Sequence, residues 1–248
     1  MNISNSNSHS FFYWSSTDFP YKAAERMAVL IEQSAAHNKG EKVSIALSGG
    51  TTPKSFYSAF NRNHLSNLTR SHSLCWFQTD ERYVPQTDDQ SNQKMILETL
   101  FSNCMANEIA NFFPVRVSIN NVDEICRTYE KTIFSQVKKV ESGNPVFDII
   151  ILGIGDDGHI ASIFPETDES MSPGSLVQAC FIKKFNQTRI TISFNTIASA
   201  RKVIIAASDK KKANIIQQTL SESNNYFFPA RKLALTKGIE WWIDNDLK

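Results

Sequence analysis

The run Val146-Phe147-Asp148-Ile149-Ile150-Ile151-Leu152 constrains this chain more than any other segment. It is short, almost wholly apolar and ends in a Gly-rich turn. A strand apolar on both of its sides is stable only where helices cover both faces of its sheet. The rest of the chain supplies such helices. From Pro20 to about Ala36, apolar side chains fall at Ala23, Met27, Leu30, Ile31 and Ala35, a helical spacing. Val43–Leu47 is a second apolar strand, followed by a helix through Phe56, Tyr57 and Phe60. Leu74–Phe77 reads as a strand running into a polar loop, Thr79 to Asn92.

Helices are predicted over Gln93–Phe101 and over Val122–Val140, the latter with Ile125, Tyr129, Ile133 and Val137 at intervals of four. Arg189–Phe194 alternates polar and apolar residues. Lys202–Ala207 reads as a buried strand, after which Asp209 is predicted to cap a Lys-rich helix. The stretch Leu233–Leu247 reads as a short strand and a closing helix carrying Trp241 and Trp242. Strands alternating with helices predict an α/β fold: an open, mostly parallel sheet with helices on both faces. In such folds ligands bind beyond the carboxyl ends of the strands.

The chain has 248 residues, of which 41% are apolar, enough for a single α/β domain over residues 11–248 behind a polar tail of residues 1–10. Its net charge is +1. That excludes a generic nucleic-acid surface, which needs a clear excess of Lys and Arg. Any anion must instead be held by a few placed residues. Cys75, Cys104, Cys126 and Cys180 are widely spaced, form no C-x-x-C pair and read as free thiols of a reducing compartment. No leader pattern opens the sequence and no apolar stretch approaches 18 residues. These features predict a cytoplasmic protein with no membrane partner. Nothing in them indicates an oligomeric state.

Three loops that follow predicted strands carry chemistry. Ser48-Gly49-Gly50-Thr51-Thr52-Pro53 joins a strand to a helix start. It is either a tight turn with a Ser/Thr cap or an anion cradle of exposed N–H groups and hydroxyls; it lacks the Gly-Lys-Ser/Thr ending of a nucleotide loop. Thr79-Asp80-Glu81-Arg82-Tyr83-Val84-Pro85 is either a surface ion pair or a phosphate grip, with Arg82 held in place by the two acids. Gly153-Ile154-Gly155-Asp156-Asp157-Gly158-His159 matches the glycine pattern of a dinucleotide site. Two adjacent aspartates would oppose a pyrophosphate, however, and no acid ends a second strand about 20 residues on. His159 is the informative residue there. A neutral imidazole can take a proton from water near neutral pH, and Asp157 can fix its tautomer. Ser162, just beyond, reads as helical packing. Lys210-Lys211-Lys212 opposes a helix dipole unless one lysine faces an anion, and Arg189 at a strand start is a further candidate. No Gly-x-Ser-x-Gly and no paired histidines occur, so neither a serine nucleophile, nor a metal, nor a cofactor is expected.

Taken in order, Ser48–Pro53, Thr79–Pro85 with Ser91-Asn92, Phe147–Pro165, Arg189–Ala213, and Phe228–Asp244 resemble the 6-phosphogluconolactonase family. The resemblance implies a fold shared with sugar-phosphate deaminases and isomerases. It implies hydrolysis of 6-phospho-D-glucono-1,5-lactone to 6-phosphogluconate in the oxidative pentose phosphate pathway. It also implies His159 as general base and Gly49, Gly50, Thr51, Arg82 and Lys212 as phosphate ligands. The chain departs from the family pattern at Asp156, where Pro is usual, and at Ile160, where Thr is usual. Asp-Gly-His-Ile-Ala is the spelling common in glucosamine-6-phosphate deaminases. Those enzymes continue to a glutamate before the proline, where this chain has Phe164 before Pro165. The alternatives are such a deaminase or isomerase, and a non-catalytic sugar-phosphate sensor.

Overall fold

In the computed structural model, described for residues 9–102, 104, 109–117, 121–167, 174–221 and 228–245, the apolar run becomes the middle strand of a seven-stranded sheet. The strands of this sheet are β1 (Ser10–Trp14), β2 (Val43–Leu47), β3 (Leu74–Gln78), β5 (Phe112–Phe113), β6 (Ile149–Gly153), β9 (Lys202–Ala207) and β10 (Glu240–Asp244). Their order is β1-β10-β9-β6-β2-β3-β5, and every pairing is parallel. A second, three-stranded antiparallel sheet contains β4 (Asp80–Arg82), β7 (Val177–Ile182) and β8 (Gln187–Ile192) in the order β4-β8-β7.

Alternation along β6 sorts the core into two layers. Ile149 and Ile151 pack with α1 (Phe19–His37), α2 (Thr51–Phe60), α3 (Ser66–Ser71) and α4 (Asn92–Thr99). Ile150 and Leu152 pack with α5 (Val122–Gln136), α6 (Phe194–Ser199), α7 (Ala213–Leu220) and α8 (Pro229–Thr236). Successive side chains of a strand point to opposite faces, so an all-apolar strand serves two cores at once. The expected parallel sheet with helices on both faces is the observed architecture.

Three expectations are corrected. The end of the chain runs in the opposite order: helix α8 comes first, and Trp241 and Trp242 lie on strand β10. Both indoles are fully buried, Trp241 in one core layer and Trp242 in the other. Only a strand sends neighbouring residues to opposite faces. The polar loop Thr79–Asn92 contains β4, which pairs antiparallel with β8 rather than remaining irregular. Asp209 caps a short 3-10 turn, Lys210–Lys212, by accepting from Lys211 N–H, and α7 begins only after it.

Of the expected tail, residues 1–8 lie outside the described residues, while His9 and Ser10 already belong to the fold. Ser10 N–H donates to the Ile239 carbonyl, and His9 Nδ1 accepts from Ile239 N–H. Among the described residues no helix is long and apolar enough to cross a membrane.

Candidate active site

The chain passes from β2 to β3 on one side of β2 and later returns to β6 on its other side. Loops leaving β2 and β6 therefore diverge, and a crevice opens at their carboxyl ends. The two strands are tied at its base. Ser48 N–H donates to the Ile151 carbonyl, and Gly153 N–H donates to Ser48 Oγ at 3.2 Å. One cavity sits above this point. It is lined by Ser48, Gly49, Gly50, Thr51, Arg82, His159, Arg189 and Lys212, together with Asp80, Asn92 and Ala161. All the sequence-predicted site residues except Asp157 thus share it. Asp157 stands behind His159.

Gly49 is required by packing, because a Cβ there would lie 1.8 Å from Asn92 Oδ1. Gly50 has φ of 107° and forms the N-cap of α2, a conformation glycine adopts at little cost. The first turn of α2 carries no acidic residue, so its positive dipole end faces the cavity unopposed. The Ser48 hydroxyl oxygen is already engaged with Gly153, and Thr52 Oγ1 shares a hydrogen bond with Ser208 Oγ at 2.9 Å.

His159 Nδ1 lies 2.5 Å from Asp157 Oδ1. Burial pushes the Asp157 carboxyl up, but its hydrogen bonds and charge contact with His159, together with Lys184, outweigh this and hold it well below the usual carboxylate range. An ionised Asp157 accepts, so Nδ1 is the ring nitrogen that donates in this contact, and in a neutral ring Nε2 is the acceptor. The ring is fixed from two further sides. It stacks on Phe164 with centroids 4.0 Å apart. Gly155 lies beneath it, where a Cβ would come within 1.9 Å of Nδ1.

The cations come from three elements. Arg82 on β4 and Arg189 on β8 are direct cross-strand partners. Arg82 Nη1 donates to the Gln90 carbonyl, while the Nε atoms of both arginines are buried and unpartnered within the protein. Burial lowers the Arg189 pKa from its ordinary value, with nearby Asp80 opposing and Arg82 reinforcing that effect. Of the three lysines in the turn after β9, Lys212 is the one that lines the cavity. Its ammonium contacts Asp156 Oδ1 at the rim.

The two acids beside Arg82 do not hold its guanidinium, contrary to the sequence expectation. Glu81 turns inward and is 1% exposed. It accepts from the N–H groups of Arg82, Asn92 and Gln93, from Gln78 Nε2 and from Ser91 Oγ. It thereby caps α4 and fixes the loop that presents Arg82. Asp80 accepts from Ser162 Oγ at 2.7 Å. Ser162 belongs to no helix: it sits in a tight turn bridged between Ile160 and Ile163, with Ala161 at φ 49°.

Sequence reasoning missed Phe164 and Phe185 as supports of the His159 ring, and Lys184 as a partner of Asp157. Lys184 Nζ reaches Asp157 Oδ2 at 3.4 Å, and Phe185 packs edge-on against Phe164. Both belong to the β7–β8 hairpin tip, which is remote in sequence from His159, and no local pattern marks them. No metal-holding group of three or more His, Cys, Asp or Glu side chains occurs among the described residues.

Comparison with known proteins fits this geometry. The family model for glucosamine-6-phosphate isomerases/6-phosphogluconolactonase matches residues 16–242. The chain is 32% identical to a 6-phosphogluconolactonase of Synechocystis, over 81% of each sequence. It is 30% identical to one of Treponema pallidum, over 80% of each. The structure of 6-phosphogluconolactonase from Trypanosoma brucei superposes with a TM-score of 0.84 at 27% identity, covering 98% of both chains. A monomeric glucosamine-6-phosphate deaminase shares the fold, with a TM-score of 0.72 at 19% identity. With its open parallel sheet, its loops gathered at the switch point and its match over residues 16–242, the chain belongs to the glucosamine-6-phosphate isomerase/6-phosphogluconolactonase family.

Proposed function

We propose that this protein hydrolyses 6-phospho-D-glucono-1,5-lactone to 6-phosphogluconate, with His159 as general base. One observation carries the reading: an imidazole oriented by Asp157 shares a cavity with three cations suited to a phosphate. Arg82, Arg189 and Lys212, with the first turn of α2, anchor the phosphate and so orient the lactone ring. His159 Nε2 takes a proton from water as the water oxygen bonds to C1. The carbonyl electrons move onto oxygen and return as the C1–ring oxygen bond breaks. The proton passes from His159 to the departing ring oxygen, and a carboxylic acid forms that ionises in water. A lactone is already an activated ester, so no covalent intermediate is needed, and a cation or backbone N–H steadies the oxyanion.

The deaminase alternative requires further acid–base groups, for ring opening, for proton transfer between C1 and C2, and for loss of the amine. The position before Pro165 holds Phe164, whose ring supports His159 and has no ionisable proton. A two-substrate assay decides. Freshly made 6-phosphogluconolactone should decay far faster than in a no-enzyme blank, and glucosamine 6-phosphate should release no ammonia. Ammonia at a catalytic rate, with lactone decay no faster than the blank, would overturn the proposal in favour of the deaminase.

A further inference from the structure

The cavity cations differ in one respect. Among the described residues Arg82 and Arg189 form no ion pair, whereas Lys212 forms one, with Asp156. Asp156 belongs to the same loop as His159 but does not line the cavity. Its side chain is 61% exposed, whereas Lys212 is 20% exposed. The ammonium is thus held between an outer carboxylate at the rim and the space where an anion would sit. Among the described residues Asp80 is the one carboxylate lining that space, and it is committed to Ser162 and Thr79.

We infer that Asp156 competes with the bound phosphate for Lys212 and so sets the affinity of the site for phosphorylated ligands. The inference rests on the proposed function for the identity of the ligand, but not for the competition itself. In the free protein Lys212 is paired with Asp156. An incoming phosphate dianion must draw the ammonium inward and leave Asp156 to water. An exposed carboxylate is released cheaply, because solvent screens such a pair strongly. The exchange therefore costs little, yet it subtracts from binding for every phosphorylated ligand, product included. A product that carries a new carboxylate as well as its phosphate is the ligand such a site most needs to release. Asp156 is in this sense a positioning residue that tunes phosphate affinity through Lys212.

The test is calorimetric titration with 6-phosphogluconate, which does not turn over, and separately with inorganic phosphate. The proteins are the wild type, Asp156→Asn, Lys212→Met and the double variant, each checked for an unchanged melting temperature. Asp156→Asn should tighten both ligands about three- to fivefold at low salt, with the gain shrinking in concentrated salt. In the Lys212→Met background the same change should gain less than about twofold. Three results overturn the inference: no tightening in Asp156→Asn, an equal gain with and without Lys212, or no binding of either anion by wild type and variant. An equal gain would mean that Asp156 repels the anion directly. If phosphate binds while 6-phosphogluconate does not and the lactone is not cleaved, the proposed function fails. The phosphate titration still reads the competition in that case.

Discussion

Arg82 and Arg189 stand directly opposite each other on β4 and β8, two like charges on the tightest cross-strand spacing a sheet offers. Such a pair is unfavourable unless something negative lies between or above it. Asp80 lies near Arg189 but gives its carboxylate to Ser162. The unpartnered Nε atoms of both arginines mark the unfilled requirement. Arg82→Ala and Arg189→Ala should each raise KM for the phosphorylated lactone, by the equivalent of about 2–5 kcal/mol for a truncated buried charge partner. Turnover of unphosphorylated gluconolactone should change far less. An unchanged preference ratio in both variants would remove the pair from phosphate recognition.

The Asp157–His159 contact makes a different prediction, on kcat rather than KM. Asp157→Asn keeps the shape of the loop but offers an amide where an acceptor held Nδ1–H, so the wrong tautomer becomes available. Loss of about 10²–10⁴-fold in kcat is expected, the range of a general base. His159→Ala should lose at least as much while still binding 6-phosphogluconate. Near-normal kcat in a folded His159→Ala protein would exclude the imidazole from the reaction.

Glu81 governs stability rather than chemistry. Burial pushes its pKa up, and the donors around it, Gln78 first among them, pull the other way. A folded pKa above the ordinary value means that the native state binds protons more readily than the unfolded chain. The Glu81 contribution therefore weakens stability as pH rises through the interval between the ordinary and the raised value. Glu81→Gln does not cure this, because its NH₂ group must face N–H donors that need an acceptor. The variant should lose about 1–3 kcal/mol, the cost of leaving a buried donor unsatisfied. Urea denaturation measures it, and an unchanged midpoint at pH 7 would contradict the bonding pattern.

Cys180, on β7 opposite Arg189, tests the cavity wall chemically. Its Sγ donates to the Ser162 carbonyl at 3.2 Å. Burial pushes the thiol up to about 12, with Asp80 adding to that shift and Arg189 opposing it. Because only the thiolate is nucleophilic, alkylation of native protein at pH 8 should be about 10³-fold slower than for an ordinary exposed cysteine. The rate should climb about tenfold for each pH unit, as long as the fold survives. Mass spectrometry after iodoacetamide treatment, with and without denaturant, reads this directly. Rapid labelling in the native state would show that the hairpin does not cover the thiol.

Much of this protein was determined by its sequence alone. The apolar run before Gly153 required a sheet covered on both faces, and each strand–loop–helix junction named its candidates locally. Ser48–Thr51, Arg82, His159 and Lys212 all stand where strand ends converge, because a parallel sheet places every such end on one edge. The tertiary structure decided what those residues touch. Whether Glu81 grips Arg82 or caps α4 depends on where Asn92 and Gln93 arrive, eleven and twelve residues later. The opposition of Arg82 to Arg189 depends on an antiparallel pairing of segments about a hundred residues apart, and Lys184 reaches Asp157 only because the β7–β8 hairpin folds back over the loop that holds it. The order of helix and strand at the chain end was likewise settled by burial, since two adjacent tryptophans could enter separate cores only from a strand. Local pattern determines backbone period and turn chemistry, because both act over a few residues. Side-chain partnership is a long-range choice, made by whichever donor or charge the folded chain brings within about 3 Å.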